Sequence, residues 1–422
     1  MDKRTTLTLT RAVTLLTAFF NVAAAYAGEL GDASGERGEA TGKPGFYTDG
    51  FHTLPEVEIT GYFDDNIYAT KRSKESDLVS VLSPSVRIAS LWETHKLDLS
   101  GGARVGRYLD ISAENYEDFW FDADGQYDLS AGSQIYAGAG FSYNHESRDS
   151  KESVDQRIDE PTTYDAKSLQ IGMNQKIGES ALKVGITYEA LDFDNVGTLF
   201  NDDRDRTVTG LGLRASRSIF PETQLFVRGI LNQRDYEEMQ DQNGYIRDSD
   251  GYNAIVGLIH EPLSGNKIEA YLGYLVQNYD DPRFDRLNEA DFGIDFRWYP
   301  AEKTKLTGSV ERSINETTEL GASGYLYTGF DLQLDQKLST NSLGYISYNY
   351  ALAEFQNVGR EDATQTFNLG LKYFLSPKIM LSGSYSYINN DSNDLGLTGS
   401  AADTYDYERN LLFLTLKARL AP

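Results

Sequence analysis

Charged residues stand at alternate positions within runs that are otherwise apolar. In Ala290-Asp291-Phe292-Gly293-Ile294-Asp295-Phe296-Arg297-Trp298 the charges Asp291, Asp295 and Arg297 take one parity, and the large apolar residues take the other. This spacing builds no catalytic group; it lays charge along one side of a wall, where it can bond water, ions or hydroxyls. The same parity selects Arg87, Arg104, Asp122, Asp124, Lys183, Glu189, Arg214 and Arg228, then Glu269, Asp331, Lys372, Lys417 and Arg419. Their signs are mixed. A phosphate or anion filter wants a ring of Arg or Lys and a cation filter an acidic ring, and neither stands out. Tyr108, Tyr136, Tyr271 and Tyr279 share the wet side. Aromatic faces accept sugar CH groups while charged groups bond hydroxyls, so a hydrated polymer or sugar would suit the set. Lining water or bracing a lumen is the plainer role for the same residues.

Other chemistry is thinly represented. His52, His95, His145 and His260 are scattered without ligand spacing, so no metal site is expected. No nucleophile elbow, phosphate loop or dinucleotide fingerprint occurs in a suitable context. No catalytic residue and no cofactor are expected, and the chain is read as not an enzyme. Cysteine is absent, which rules out disulfides and thiolate sites; a periplasmic or surface location permits disulfides without requiring them. The clusters Asn201-Asp202-Asp203 and Asp248-Ser249-Asp250-Gly251 could offer oxygens to Ca²⁺. Solvated loop acids are the simpler reading, with bridging of loops to lipopolysaccharide phosphates by Ca²⁺ or Mg²⁺ as a weaker variant.

The elements that must position the charges are strands, because side chains on a strand alternate faces with period two. Residues 1–27 have the form of a cleavable secretory signal: Lys3, Arg4 and Arg11, then an apolar stretch over 12–25, then Ala25-Tyr26-Ala27. That stretch is shorter than the roughly 20 residues a spanning helix needs, and nothing downstream approaches that length. A membrane protein without spanning helices must be a closed barrel, since every backbone polar group in hydrocarbon needs a partner. The chain has 39 basic and 64 acidic residues; loss of Asp2, Lys3, Arg4 and Arg11 with the signal leaves 36 and 63, a mature charge of −27. This balance argues against nucleic acid as a partner. Mean hydropathy is −0.47, as fits a strand wall in which only every second residue meets lipid.

Residues 28–54, rich in Gly, Glu, Asp and Thr without periodicity, read as a flexible periplasmic leader, and 55–422 as the barrel. Short turn signals fall near residues 93, 131, 179, 222, 265, 302, 340 and 377. Their spacing of about 40 residues is two strands plus one long loop. Eight such turns separate nine hairpins. The expected fold is therefore all-β: a transmembrane antiparallel up-and-down barrel of about 18 strands (16–18), with short periplasmic turns and long acidic extracellular loops. Expected lipid-facing residues include Leu97, Leu99, Val105, Leu182, Val184, Ile186, Leu225, Val227, Ile268, Leu272, Leu369 and Leu371. Aromatics near strand ends, namely Tyr62, Tyr68, Trp92, Trp298, Tyr299, Tyr345, Tyr373 and Tyr385, read as interfacial girdles. The last strand carries Leu412, Leu414, Leu416, Ala418 and Leu420 on one face but finishes Leu420-Ala421-Pro422, where barrel-closing strands commonly finish on an aromatic.

Gly61-Tyr62-Phe63-Asp64-Asp65-Asn66-Ile67-Tyr68, followed by Ser76-Asp77-Leu78, Leu82-Ser83-Pro84 and later Asn115-Tyr116, resembles the opening of the outer-membrane β-barrel porins associated with exopolysaccharide biosynthesis and export. The resemblance implies the outer membrane of a Gram-negative bacterium, with lipid and lipopolysaccharide around the wall. It also implies a secreted exopolysaccharide or capsular polysaccharide as cargo and periplasmic export machinery as a partner. The residues alone leave a general or sugar-selective diffusion porin open, and also a non-conducting surface barrel that scaffolds an export complex or binds a partner through its loops. Asp64, Asp65 and Asn66 read as a rim or turn anchor.

Overall fold

The computed structural model describes residues 44–151, 160–262, 265–394 and 405–420. The signal expected at 1–27, and residues 28–43 of the expected leader, lie outside the described residues, as do parts of two long loops, 152–159 and 395–404.

The chain folds into successive strands. The first are β1 (Phe46–Thr48), β2 (Phe51–Asp64), β3 (Asp77–Ser90), β4 (Lys96–Tyr108), β5 (Tyr116–Ser130) and β6 (Ser133–His145). Next come β7 (Thr163–Ile177), β8 (Ser180–Phe193), β9 (Arg206–Phe220), β10 (Thr223–Tyr236), β11 (Ser249–His260) and β12 (Lys267–Tyr279). The last are β13 (Leu287–Ala301), β14 (Thr304–Asn315), β15 (Tyr325–Lys337), β16 (Ser342–Phe355), β17 (Arg360–Ser376), β18 (Ile379–Asp394) and β19 (Tyr407–Arg419). From β2 onward each strand pairs antiparallel with the next. β19 then returns to β2, from Leu411↔Asp64 to Arg419↔Glu56. The result is a closed barrel of 18 strands, in which every strand has a neighbour on both sides. The short β1 folds back onto β2.

Eight turns of two to six residues join the strands at one end, some as tight as Gly178-Glu179, where Gly178 takes φ +61°. Nine connections, the longest 146–162, join them at the other. In bacterial outer-membrane barrels the short turns face the periplasm and the long loops face outward. Residues 51–54, assigned to the leader on composition, already pair with 87–90 of β3. Pro55 sits within β2 just beyond the last ladder pair with β19, where a strand tolerates a missing N–H.

Directly paired residues share a face of the sheet, so the faces follow from the register. Lys183, Arg214, Arg228, Ile255, Gly273 and Asp291 form one unbroken cross-strand row. That face carries the buried charges. The opposite face carries Ile186, Leu213, Val227, Leu272, Leu371 and Leu414, all exposed and apolar, and is the lipid face. One seam is irregular. β13 and β14 pair only from Ile294↔Val310 to Ala301↔Thr304, leaving their outer halves apart. Arg234 of β10 donates to Ile314 O at 3.0 Å, and Ile314 and Leu326 pack on Leu275 and Leu287. The outer part of the β14–β15 hairpin thus lies against the inner side of β10–β13.

Candidate functional site

The sixteen charged residues singled out from the sequence fall on the inner face when the register is followed round the wall. Lys183, Glu189, Arg214, Arg228, Glu269 and Asp291 are buried there. Lys183, Arg214 and Arg228 stand side by side on β8, β9 and β10. Arg214 is neutralised by Glu269 at 3.1 Å, and Glu269 stands directly opposite Asp295. Near the periplasmic end Arg87 pairs with Asp98 at 2.6 Å, while Lys417 and Arg419 reach Glu56 at 3.0 and 2.8 Å. Arg297 donates to Gly265 O at 3.1 Å. Arg104 lies 3.9 Å from Asp118, Asp122 and Asp124 oppose Ser100 and Asp98, and Gln170 donates to Asp124 at 3.1 Å. Asp331 accepts from Ser309 at 3.3 Å and from Asn349, and the Lys372 ammonium sits 5.5 Å from the Tyr345 ring. Both signs therefore occur along the wall, the cations Lys183, Arg214 and Arg228 grouped on β8–β10 and the acids Asp98, Asp122 and Asp124 on β4–β5, and neither sign runs right round it.

Tyr62 and Tyr345 depart from the girdle reading. Tyr62 opposes Phe413 across β2–β19, with ring centroids 5.1 Å apart on the inner face. Tyr345 is buried beside Lys372. Strand-end aromatics look alike in sequence on either face, and only the register separates them. Trp298, Tyr373 and Tyr385 are exposed on the lipid face.

The outer mouth holds what the sequence did not disclose. The third long loop (146–162) leaves β6, yet Lys151 Nζ donates to Asn390 Oδ1 of β18 at 2.7 Å and lies 3.1 Å from Asp362 Oδ2 of β17. β18 stands six strands from β6 round the wall, so this contact is a chord across the mouth. Around the rim, loop is tied to loop: Arg148 to Glu114, Arg204 to Glu146 at 2.6 Å, Gln242 N to Asp203 at 3.0 Å, Arg247 to Thr317 O at 2.9 Å, and Arg360 to Glu319 at 2.6 Å. The acidic loops are thus partly internal, not simply solvated. Asp203, Asp241, Asp281 and Glu146 are buried. Hydrogen bonds from Arg283 hold the Asp281 carboxyl well below its usual range. Burial pushes Asp205 up to about 6, with Asp192, Asp202 and Glu237 adding repulsion against a bond from Phe193 N–H.

Asp64, Asp65 and Asn66 stitch the closing seam. Asp64, fully buried, takes the Arg409 guanidinium with Nε at 2.8 Å. Asp65 accepts from Asn410 N at 2.6 Å, and Asn66 Nδ2 donates to Glu408 O at 2.8 Å. A cavity of about 420 Å³ beside Leu213, Val227 and Leu272 opens mainly on apolar side chains of the lipid face, away from this chemistry.

Among curated proteins none matches the chain. Among solved structures, OpdK of Pseudomonas aeruginosa is 11% identical, with a TM-score of 0.46 over 87% of this chain and 99% of that one. OpdO of the same organism is 13% identical, with 0.45 over 87% and 97%. The siderophore receptor PirA of Acinetobacter baumannii is 8% identical, with 0.46 over 87% and 80%. The family model described as Putative beta-barrel porin 2 matches residues 39–420. The chain therefore belongs to that family and is an outer-membrane, porin-like β-barrel channel of a Gram-negative bacterium, set in lipid and lipopolysaccharide, rather than an enzyme.

Proposed function

We propose that the barrel gives a secreted exopolysaccharide or capsular polysaccharide a route across the outer membrane. The observation that carries this reading is the inner face: charges of both signs and inward tyrosines along its length, with no ring of one sign. Such a surface bonds hydroxyls along its whole length without trapping a simple ion. The sixteen inner charged residues line the polymer's path, and periplasmic export machinery delivers the chain to the short-turn end. The same face also suits a general or sugar-selective diffusion porin, which stands as the second reading. In planar bilayers the purified protein is expected to give stable conductance steps that added oligosaccharide reduces. Silence in repeated reconstitutions would favour a non-conducting scaffold instead. Gene deletion with a stain for surface polysaccharide separates the two pore readings: loss of polymer supports export, and retained polymer supports a diffusion porin.

A further inference from the structure

Thirteen buried side-chain polar atoms among the described residues have no hydrogen-bond partner, and five belong to four residues on neighbouring strands. These are Arg228 Nε and Nη2 and Asn232 Oδ1 on β10, Asn253 Oδ1 on β11, and Asp291 Oδ1 on β13. All four side chains share the inner face by register: Arg228 opposes Ile255, Ile230 opposes Asn253, and Gly273 opposes Asp291. Arg228 is 3% exposed and Asp291 2%, while Asn232 and Asn253 are partly exposed and form the lumen-side rim. The Arg228 guanidinium lies 5.2 Å from the Tyr271 ring centroid. The Tyr271 ring itself lies over Gly293, where an added Cβ would come within 2.3 Å of it. Gly273 contributes no side chain, and Ile255 fills the place beside it, its Cγ2 within 2.8 Å of where a Cβ would stand; Asn253 joins the group through Nδ2, which donates to Asp291 Oδ2. Above this group Arg234 and Tyr236 of β10 hold Glu316, the latter at 2.8 Å, and so bring the β14–β15 hairpin toward it.

A buried donor or acceptor left without a partner is costly, and a group of five must be met by something. The unmet set contains two N–H donors and three oxygen acceptors. An anion would serve the donors but face three oxygens, one of them on a carboxylate. A cation would face the guanidinium, and an apolar group would serve nothing. A hydroxyl both donates and accepts. Arg228 and Asn232 are four residues apart on one strand, about 13 Å, which spans more than one sugar ring.

We infer that Arg228, Asn232, Asn253 and Asp291 form a subsite on the inner wall for neutral, hydroxyl-bearing sugar units. This deepens the polysaccharide reading and rests on it for the saccharide's presence in the lumen. The test is equilibrium dialysis of detergent-folded protein against neutral hexasaccharides of glucose, galactose and mannose, with oligogalacturonate of equal length beside them. At least one neutral hexasaccharide is expected to bind saturably and more tightly than the acidic one. Asn232→Ala should weaken it about fivefold, the loss of one hydrogen bond, and Asn253→Ala, which also takes the Nδ2 donor from Asp291 Oδ2, by more. Both remove partly exposed amides, and heat-modifiable gel mobility checks that the barrel has formed; Arg228→Gln should abolish binding. No saturable binding of any neutral probe, tighter binding of the acidic probe, or unchanged affinity in both Asn variants would overturn the subsite. Bilayer conductance of the same preparations is read separately. Steps without sugar binding leave the channel standing and remove the subsite, whereas binding without steps removes the channel and leaves the subsite.

Discussion

Replacing Lys151 by Met should loosen the third loop's hold on the far wall of the mouth, where Asp149 also bonds Tyr407 of β19. The ammonium makes two contacts there, to Asn390 Oδ1 at 2.7 Å and Asp362 Oδ2 at 3.1 Å. Its loss does not strand Asp362, which keeps Arg360 at 2.7 Å and the Ser392 hydroxyl at 2.6 Å. The change therefore removes a tether rather than exposing an unpaired buried carboxylate. Hydrogen bonds to charged groups are worth about 1.5–3 kcal/mol net. Lys151 keeps a 20% exposed side chain, so part of that is returned by water, and about 2 kcal/mol remains for the pair. That shifts the balance between attached and detached loop by roughly 30-fold, at 1.4 kcal/mol per factor of ten. Amide hydrogen exchange should accelerate by a similar factor at 146–151, and single-channel steps should become larger and noisier. Lys151→Arg, which keeps a charge and donors, should stay near wild type. Unchanged exchange and unchanged step size in Lys151→Met would refute the strut.

Arg247→Ala should destabilise the loop cluster by about 3–5 kcal/mol, because Arg247 is fully buried against Asp241 at 2.5 Å and donates to Thr317 O; urea midpoints and hydrogen exchange at 317–322 are the readouts. Leu213→Arg on the lipid face should cost about 2–4 kcal/mol in reversible folding into vesicles, and if Leu213→Lys and Leu213→Arg both prove neutral the assignment of faces is wrong there. Asp205→Asn should flatten the pH dependence of stability: the folded carboxyl titrates near about 6 against an ordinary value of 3.8, so its penalty is absent below about pH 4, grows as pH rises and is complete above 6. Thermal melts in detergent at pH 4.5 and 7 would show the wild-type difference shrinking in the variant.

Much of the wall was legible because lipid enforces the parity that reveals it. A charge at Leu213 or Val227 would meet hydrocarbon, whereas Arg214 and Arg228 one position away meet the lumen, so a two-letter pattern suffices. Turn chemistry such as Gly178-Glu179 then counts the hairpins. The mouth was illegible for the opposite reason. Arg204 and Glu146 are 58 residues apart, and Arg360 and Glu319 are 41 apart. No periodicity links such partners, and an acidic loop reads the same whether its carboxylates are hydrated or buried against arginine. The clustering at Arg228, Asn232, Asn253 and Asp291 likewise needs the strand register, since it gathers residues from β10, β11 and β13. Tyr62 and Tyr345 failed at an intermediate level: their strands were visible, but a one-position difference in parity decides between membrane interface and lumen.

The seam between β2 and β19 has a consequence in time as well as in space. Asp64 and Arg409 are 345 residues apart, whereas each hairpin closes across a few residues. The closure entropy of a chain grows as three-halves of RT times the logarithm of its length, so joining these ends from an open chain costs about 3 kcal/mol more than closing a 14-residue loop. The density of bonds from Asp64, Asp65 and Asn66 to residues 408–410 offsets that difference where it falls. Until β19 arrives, β2 presents an unpaired edge and Asp64 a carboxylate with no cation, so the unclosed sheet is an adhesive, short-lived species. The salt bridge at the rim thus serves as a latch on assembly: the seventeen earlier strands can queue in register, but the cylinder exists only once Arg409 has found Asp64.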